Sequence, residues 1–169
     1  MDMLTIEELR RIVVLNYLTD EMLARLLPIV DVLRFGEEEV IFRQGDPSDR
    51  FYMVRRGKVL LEQRVAEGIS VFVGSIKPGF SFGWSSMIDE GNYSTEAIST
   101  EDSVIYSFRF EKAKRLFEAD PLMGYRLCWR LLHIIKKRYD QRTDQFIKLM
   151  THHPDMKDLF ESPAPESDA

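Results

Sequence analysis

Hydroxyl side chains are concentrated in residues 80–97, which read FSFGWSSMIDEGNYSTEA. A serine hydroxyl becomes a nucleophile only when a neighbouring base accepts its proton, and histidine is the usual base. The only histidines, His133, His152 and His153, lie far along the chain from this stretch. Metal sites built on strands also need several converging histidines. We therefore expect no catalytic residues, no metal site and no enzymatic activity.

The composition narrows the class of protein. A chain of 169 residues, 44% apolar and 30% charged, is sufficient for one folded domain with a hydrophobic core. The net charge is −5 and the acidic residues are spread along the chain, so direct DNA binding is not expected. The apolar runs are too short to span a membrane, no signal-like segment opens the chain, and Cys128 is the single cysteine. These features predict a cytoplasmic protein that does not associate with a membrane.

The spacing of apolar residues and turn residues predicts a mostly β domain with flanking helices over residues 1–150. Helical spacing of apolar residues predicts two short helices within residues 5–30. Eight short β-type runs, separated by glycine, proline and asparagine turns, predict an eight-stranded antiparallel jelly-roll or β-roll barrel over residues 31–110. Helical patterning returns over residues 111–150 and includes one long helix, and residues 151–169 have the composition of a disordered tail.

The predicted long helix carries a stripe of residues at alternating spacings of four and three, as in a coiled coil. Its members are Cys128, Leu132, Ile135, Tyr139, Arg142, Phe146 and Leu149. The helix would be roughly 45 Å long at the usual rise per residue, which is more than a small barrel covers. We therefore expect a homodimer in which part of this stripe is the seam.

One segment, FGEEEVIFRQGDPSDRFYMVRRGKV, resembles the cyclic nucleotide-binding domain of the CRP/FNR regulators and of cyclic-nucleotide-dependent kinases and channels. The matching positions are Gly45, Asp46, Phe51, Tyr52, Val54, Gly57 and Val59, and KPGFSFGW resembles the approach to that family's phosphate cassette. The resemblance covers about residues 18–150. It implies the β-roll fold and a cyclic nucleotide, or another small anionic or polar molecule, as the ligand.

The cassette departs from the family pattern at its two charged positions. The resemblance implies a glutamate for the ribose hydroxyl where this chain has Trp84. It implies an arginine for the phosphate where this chain has Ser94, or Tyr93 if the loop is one residue shorter. No lysine or arginine occurs between Lys77 and Arg109. The candidate pocket residues are Leu61, Val73, Phe82, Gly83, Trp84, Ser85, Ser86, Ser94, Thr95, Arg138 and Tyr139.

Three functions are compatible with this sequence. The first is a sensor domain that binds a non-standard small polar ligand, or a cyclic nucleotide weakly, and signals to an unknown protein partner. The second is an interaction and dimerisation module whose pocket Trp84 fills. The third, a fragment of a CRP/FNR-type transcription regulator, is disfavoured because the 19 residues after Met150 are too few for a helix-turn-helix module.

Overall fold

The N-terminal segment forms two short helices in the computed structural model, which describes residues 4–88 and 91–153. Helix α1 spans Ile6–Arg10 and α2 spans Asp20–Leu26, followed by a 3-10 turn at Leu27–Ile29. Each helix starts at a threonine whose hydroxyl accepts a backbone N–H: Thr5 from Glu8 at 3.2 Å, and Thr19 from Met22 at 3.4 Å. These caps satisfy donors that a helix start leaves without partners.

Eight antiparallel strands follow, as the turn spacing predicts. They are β1 (Asp31–Phe35), β2 (Val40–Phe42), β3 (Arg50–Arg56), β4 (Val59–Ala66), β5 (Ile69–Ile76), β6 (Ser81–Phe82), β7 (Glu96–Ser99) and β8 (Ser103–Arg109). One sheet has the order β1-β8-β3-β6 and the other β2-β7-β4-β5. The predicted β-roll fits this arrangement, but the prediction of a barrel is wrong: within residues 4–88 and 91–153 the strands form two four-stranded sheets and no closed barrel.

The helix count also differs from the prediction, which had two short N-terminal helices and the C-terminal helices of residues 111–150, but no helix between the strands. In addition to α1 and α2, the chain forms α3 (Ser85–Ile88), α4 (Phe110–Ala119) and α5 (Pro121–His152). The short α3 is absent from the predicted elements because four residues are too few to show a helical period. Of the predicted disordered tail, residues 154–169 lie outside the described residues.

Aromatic side chains fill the core between the sheets. Phe42 of β2 stacks on Tyr93 with ring centroids 3.8 Å apart, and Tyr52 of β3 stacks on Phe82 of β6 at 5.1 Å. All four belong to one buried cluster that also contains Ala97 of β7. Fully burying a large apolar side chain contributes about 1.5–3 kcal/mol, so this cluster is a main source of stability.

Helix α1 is tied to the first sheet by Glu8. Its Oε2 accepts hydrogen bonds from Arg55 Nε of β3 at 2.7 Å and from the Tyr106 hydroxyl of β8 at 3.1 Å. The bond from Arg55 is the main reason that the pKa of Glu8 lies below its ordinary value. Burial, together with the nearby Glu8 charge, raises the pKa of Tyr106 to about 12. The N-terminal segment is therefore fixed to the sheet by a charged network.

The described residues fall into two compact units, divided between Arg130 and Leu131 of α5. In the first unit, the start of α5 lies close to α4, because a Cβ on Gly124 would be 2.9 Å from Phe117 Cβ. Arg130 donates from Nε to the Val13 carbonyl at 3.2 Å and lies 4.8 Å from the centre of the Tyr17 ring. Within the described ranges, no helix has the length and apolar character needed to cross a membrane.

Candidate ligand-binding site

Gly83 makes the turn between β6 and α3. Its φ of +74° lies in the left-handed region that favours glycine. A Cβ at this position would also lie 2.8 Å from Tyr52 Cδ2 and 3.1 Å from the Arg50 carbonyl oxygen. Both the backbone conformation and the close approach of β3 therefore require glycine here, and the turn brings the start of α3 next to the core.

Trp84 and Ser86 are held by local hydrogen bonds. The half-buried Trp84 donates from Nε1 to the Ser81 hydroxyl at 3.2 Å. The buried Ser86 hydroxyl donates back to the Gly83 carbonyl at 2.9 Å. The indole is thus oriented by the protein itself, and the Ser86 proton is already used in the turn.

Tyr93 points into the core. It is buried and stacks on Phe42, and its hydroxyl donates to the Arg50 carbonyl at 2.8 Å and accepts from the Arg50 N–H at 3.1 Å. Burial away from water raises the pKa of this phenol well above its ordinary value. The Tyr93 side chain is therefore committed to the core, whereas the next residue, Ser94, is exposed.

The remaining predicted pocket residues of the first unit differ in their surroundings. Phe82 is buried in the aromatic core, and Leu61 packs against the same cluster. Val73 is half-buried at a bulge in β5, where the register with β4 shifts. Ser85 and Thr95 are half-buried and, like Ser94, have hydroxyls that form no hydrogen bond within the described part of the chain. These three hydroxyls are available as hydrogen-bond donors to a ligand.

Several arginines on the strands and their connecting turn are paired with carboxylates. Arg43 lies 3.1 Å from Glu96, Arg50 lies 2.8 Å from Asp31, and Arg55 binds Glu8 as described above. These three arginines are therefore already paired. Because no lysine or arginine occurs between Lys77 and Arg109, the segment from β6 to β7 also has no cation of its own.

A cavity of about 420 Å³ that was not predicted from the sequence lies beside α3, and its lining includes Ser86 of the predicted pocket. Its walls come from the β2–β3 turn, from α3 and from the start of α4, and include Pro47, Met87, Ile88, Phe110 and Lys114. The sequence contains no motif that signals this cavity, because its walls come from segments far apart along the chain.

The predicted seam residues of α5 are mostly exposed. Leu132, Tyr139, Phe146 and Leu149 are exposed, as are Cys128 and Arg142, while Ile135 is half-buried. The predicted seam did not include the exposed Tyr125 and Trp129, whose rings stack with centroids 6.1 Å apart. Tyr125 was detectable because it continues the three-four spacing by one step before Cys128.

Burial, with Arg142 nearby, lowers the pKa of half-buried Arg138 to about 10, so its guanidinium remains charged at neutral pH.

Comparisons with known proteins agree with this architecture. The profile of the cyclic nucleotide-binding domain family matches residues 32–120. The cyclic AMP receptor protein of Thermus thermophilus is 33% identical over 94 residues, which are 56% of this chain and 44% of that protein. A regulatory subunit of cAMP-dependent protein kinase from Dictyostelium discoideum is 31% identical over 87 residues, 50% of this chain and 27% of that protein. The chain therefore matches less than half of the length of either relative.

The fold is also similar to a solved structure. A cyclic nucleotide-binding domain from Methylobacillus flagellatus superposes with a TM-score of 0.78, covering 88% of this chain and 86% of that one at 18% identity. The matched family profile spans more than half of the chain and contains the strands β2 to β8, the Gly83 turn and the helices α3 and α4. The chain belongs to the cyclic nucleotide-binding domain family.

Proposed function

We propose that this protein is a non-catalytic regulatory domain whose phosphate cassette has lost both charged ligand contacts. The observation that carries the proposal is the environment of Trp84, where the family pattern has glutamate: the indole is half-buried and its N–H is bonded to Ser81. The second lost contact is the arginine, whose position corresponds to Ser94, since Tyr93 is committed to the core. A bound cyclic nucleotide would therefore meet neither its usual acceptor nor its usual cation.

The loss of these contacts lowers the affinity for a cyclic nucleotide enough to favour a different ligand. Removing one partner of a buried charged hydrogen-bonded pair costs about 2–5 kcal/mol. This corresponds to roughly 30-fold to several thousand-fold in affinity. A cyclic nucleotide would therefore bind weakly, and a ligand that depends less on a phosphate–arginine contact would be favoured.

The remaining donors indicate the class of that ligand. The hydroxyls of Ser85, Ser94 and Thr95 are neutral and can bind a polar or weakly anionic group. The family resemblance also assigns Arg138 and Tyr139 of the long helix to the pocket, and this assignment stays a prediction. We infer a small polar ligand, without the strict requirement for a cyclic phosphate.

The output of such a domain would go through protein contacts. The exposed apolar residues of α5, among them Leu132, Tyr139 and Phe146, support association of this helix with a second copy or with a partner protein. Ligand occupancy would then be relayed from the cassette through α4 into α5. Our second candidate function, a ligand-free interaction module, is favoured by the same Trp84 orientation, because an indole fills more space than a carboxylate.

Calorimetric titration of the purified protein with cyclic AMP, cyclic GMP and a cyclic dinucleotide tests the proposal. The unaltered protein should release little heat at micromolar concentrations. The double variant Trp84→Glu/Ser94→Arg should gain micromolar affinity for a cyclic mononucleotide, because it restores both charged contacts. Trp84→Glu/Ser94→Gln is the matched control, since glutamine adds length at position 94 without charge.

Two results would overturn the proposal. Micromolar binding of a cyclic nucleotide by the unaltered protein would show that the cassette does not need the two charges. A folded Trp84→Glu/Ser94→Arg variant that stays silent would show that these two positions are not what weakens the site. Circular dichroism melting of each variant confirms that it is folded before the titration is interpreted.

A further inference from the structure

The cavity beside α3 has walls that are tied to one another. Its volume of about 420 Å³ falls within the range of about 300–1,000 Å³ that is usual for small-molecule sites. The Gly91 carbonyl accepts two hydrogen bonds from Ser48, one from the backbone N–H at 3.0 Å and one from the hydroxyl at 2.8 Å. The Phe110 N–H, at the start of α4, donates to the Asp49 carbonyl at 3.0 Å. The β2–β3 turn therefore holds the other walls in place, and the cavity is formed before any ligand enters.

The lining of this cavity is mainly apolar. Its apolar members are Pro47, Met87, Ile88 and Phe110. Ile88 is exposed, and Met87 and Phe110 are half-buried, so apolar surface is open to a molecule in the cavity. The buried serines of the lining, Ser48 and Ser86, already donate their hydroxyl protons to backbone carbonyls. The cavity is therefore better suited to an apolar body than to a polar one.

The charged side chains around the cavity leave one cation without a partner. Asp49 Oδ2 lies 3.7 Å from Arg109 Nη1, and Glu111 Oε1 lies 2.6 Å from Arg115 Nη2 on the next turn of α4. Lys114 also lines the cavity and is exposed, and it forms no hydrogen bond or ion pair within the described part of the chain. A ligand with one negative charge would be attracted to this lysine, and a cationic ligand would be repelled.

The cavity is separate from the predicted pocket of the cassette. Ser86 is the single residue that belongs to both. The three hydroxyls available to a ligand in the cassette, those of Ser85, Ser94 and Thr95, do not line the cavity. A molecule bound here would contact the cassette helix α3 on one side and the start of α4 on the other.

We propose that this cavity is a second ligand site, which binds a small molecule with an apolar body and one carboxylate group. The apolar body would lie against Met87, Ile88 and Phe110, and the carboxylate would lie beside Lys114. The site does not depend on the ligand proposed above for the cassette.

Methyl NMR of the full chain, with octanoate as the probe, tests this site. Octanoate should shift the methyl signals of Met87 and Ile88, which are assigned with the variants Met87→Leu and Ile88→Val. Octanol and octylammonium carry the same chain with a neutral and a cationic end. Octanoate should bind about fivefold more tightly than octanol, which is the upper range for an exposed ion pair, and octylammonium should bind most weakly. Butanoate should bind at least about tenfold more weakly than octanoate, because it buries fewer CH₂ groups.

Lysine variants test the role of the charge. Lys114→Gln should weaken octanoate binding about fivefold and leave octanol binding unchanged. Lys112→Gln is the matched control, because Lys112 is an exposed lysine of the same helix that does not line the cavity. It should leave the affinity for both probes unchanged.

Three results would overturn the proposal. The first is that millimolar octanoate leaves the methyl signals of Met87 and Ile88 unshifted. The second is that the methyl signal of Ile69, an exposed residue of β5, shifts with the same midpoint, which would mean general adsorption on apolar surface. The third is an equal octanoate affinity of wild type and Lys114→Gln, since the cavity would then not recognise the carboxylate.

Discussion

The Tyr93 hydroxyl bonds to both backbone polar groups of Arg50, accepting from the N–H at 3.1 Å and donating to the carbonyl at 2.8 Å. This contact ties the end of the cassette segment to the first residue of β3, while the Tyr93 ring stacks on Phe42 of β2. It also decides which residue at the end of the cassette faces the core and which faces outward.

Tyr93→Phe should destabilise the protein by about 1–3 kcal/mol. The ring stacking survives, but the Arg50 N–H loses its acceptor in a partly buried environment. Urea unfolding followed by tryptophan fluorescence measures the change. Tyr125→Phe, on an exposed ring of α5, is the control and should be nearly neutral. Surface substitutions usually change stability by less than about 0.5 kcal/mol. A loss of stability below that value would mean that water replaces the hydroxyl.

An arginine should be tolerated at position 94 and not at position 93. Ser94 is exposed, so Ser94→Arg should change the free energy of unfolding by less than about 0.5 kcal/mol. Tyr93→Arg should cost at least about 3 kcal/mol, because it removes a core aromatic ring and buries a charge. Thermal melting of both variants distinguishes them, and equal melting temperatures would refute the assignment of Tyr93 to the core.

Gly83→Ala should be more destabilising than Gly45→Ala. Both glycines have positive φ, +74° and +91°, so both substitutions carry the strain of a left-handed backbone. Only at Gly83 would the new methyl group also meet neighbouring atoms, at 2.8 Å from the Tyr52 ring, whereas nothing lies within 4 Å at Gly45. We expect an extra cost of about 1–3 kcal/mol by chemical denaturation, in the range of overpacking. Equal losses of stability in the two variants would show that β3 moves away from the new methyl group at little cost.

Glu8 should stabilise the protein at neutral pH and cease to do so in acid. Its folded pKa lies below the ordinary value of 4.5, so its contribution is fully present above about pH 4.5 and is lost as the pH falls through the folded pKa. Glu8→Gln should therefore lower the free energy of unfolding at pH 7, and the difference from wild type should shrink in more acidic solution, below the folded pKa. Glu7→Gln, on the exposed side of α1, is the control. A difference independent of pH would mean that shape rather than charge matters.

The predicted α5 seam is tested by placing charges on it. Ile135→Asp together with Phe146→Asp should convert a helix-mediated dimer into a monomer by light scattering, because each aspartate would bury a charge in an apolar interface. Gln141→Asp with Lys148→Asp puts two aspartates outside the stripe and should leave the mass unchanged. An unchanged mass for the seam variant would refute dimerisation through this helix.

Much of the fold was predictable from the sequence because its signals are local. Glycine, proline and asparagine turns separate eight short β-type runs, and the long helix follows its own apolar period, so strand number and helix position need no knowledge of distant contacts. The missing cation in the cassette is equally visible, since no lysine or arginine occurs between Lys77 and Arg109. Membership of the cyclic nucleotide-binding family, read from the Gly45 to Val59 pattern, is confirmed by the family profile.

Only the tertiary structure decided which residues of these elements contact one another. The Tyr93–Arg50 bonds join residues 43 apart, and the Glu8–Tyr106 bond joins residues 98 apart. Such contacts depend on which strands become neighbours, and local spacing does not specify that. For the same reason the sequence did not separate Phe82 and Tyr93 in the core from Ser94 at the surface. The edge position of β5 likewise follows from sheet order, because a strand is an edge only when the rest of the chain leaves one of its sides unpaired.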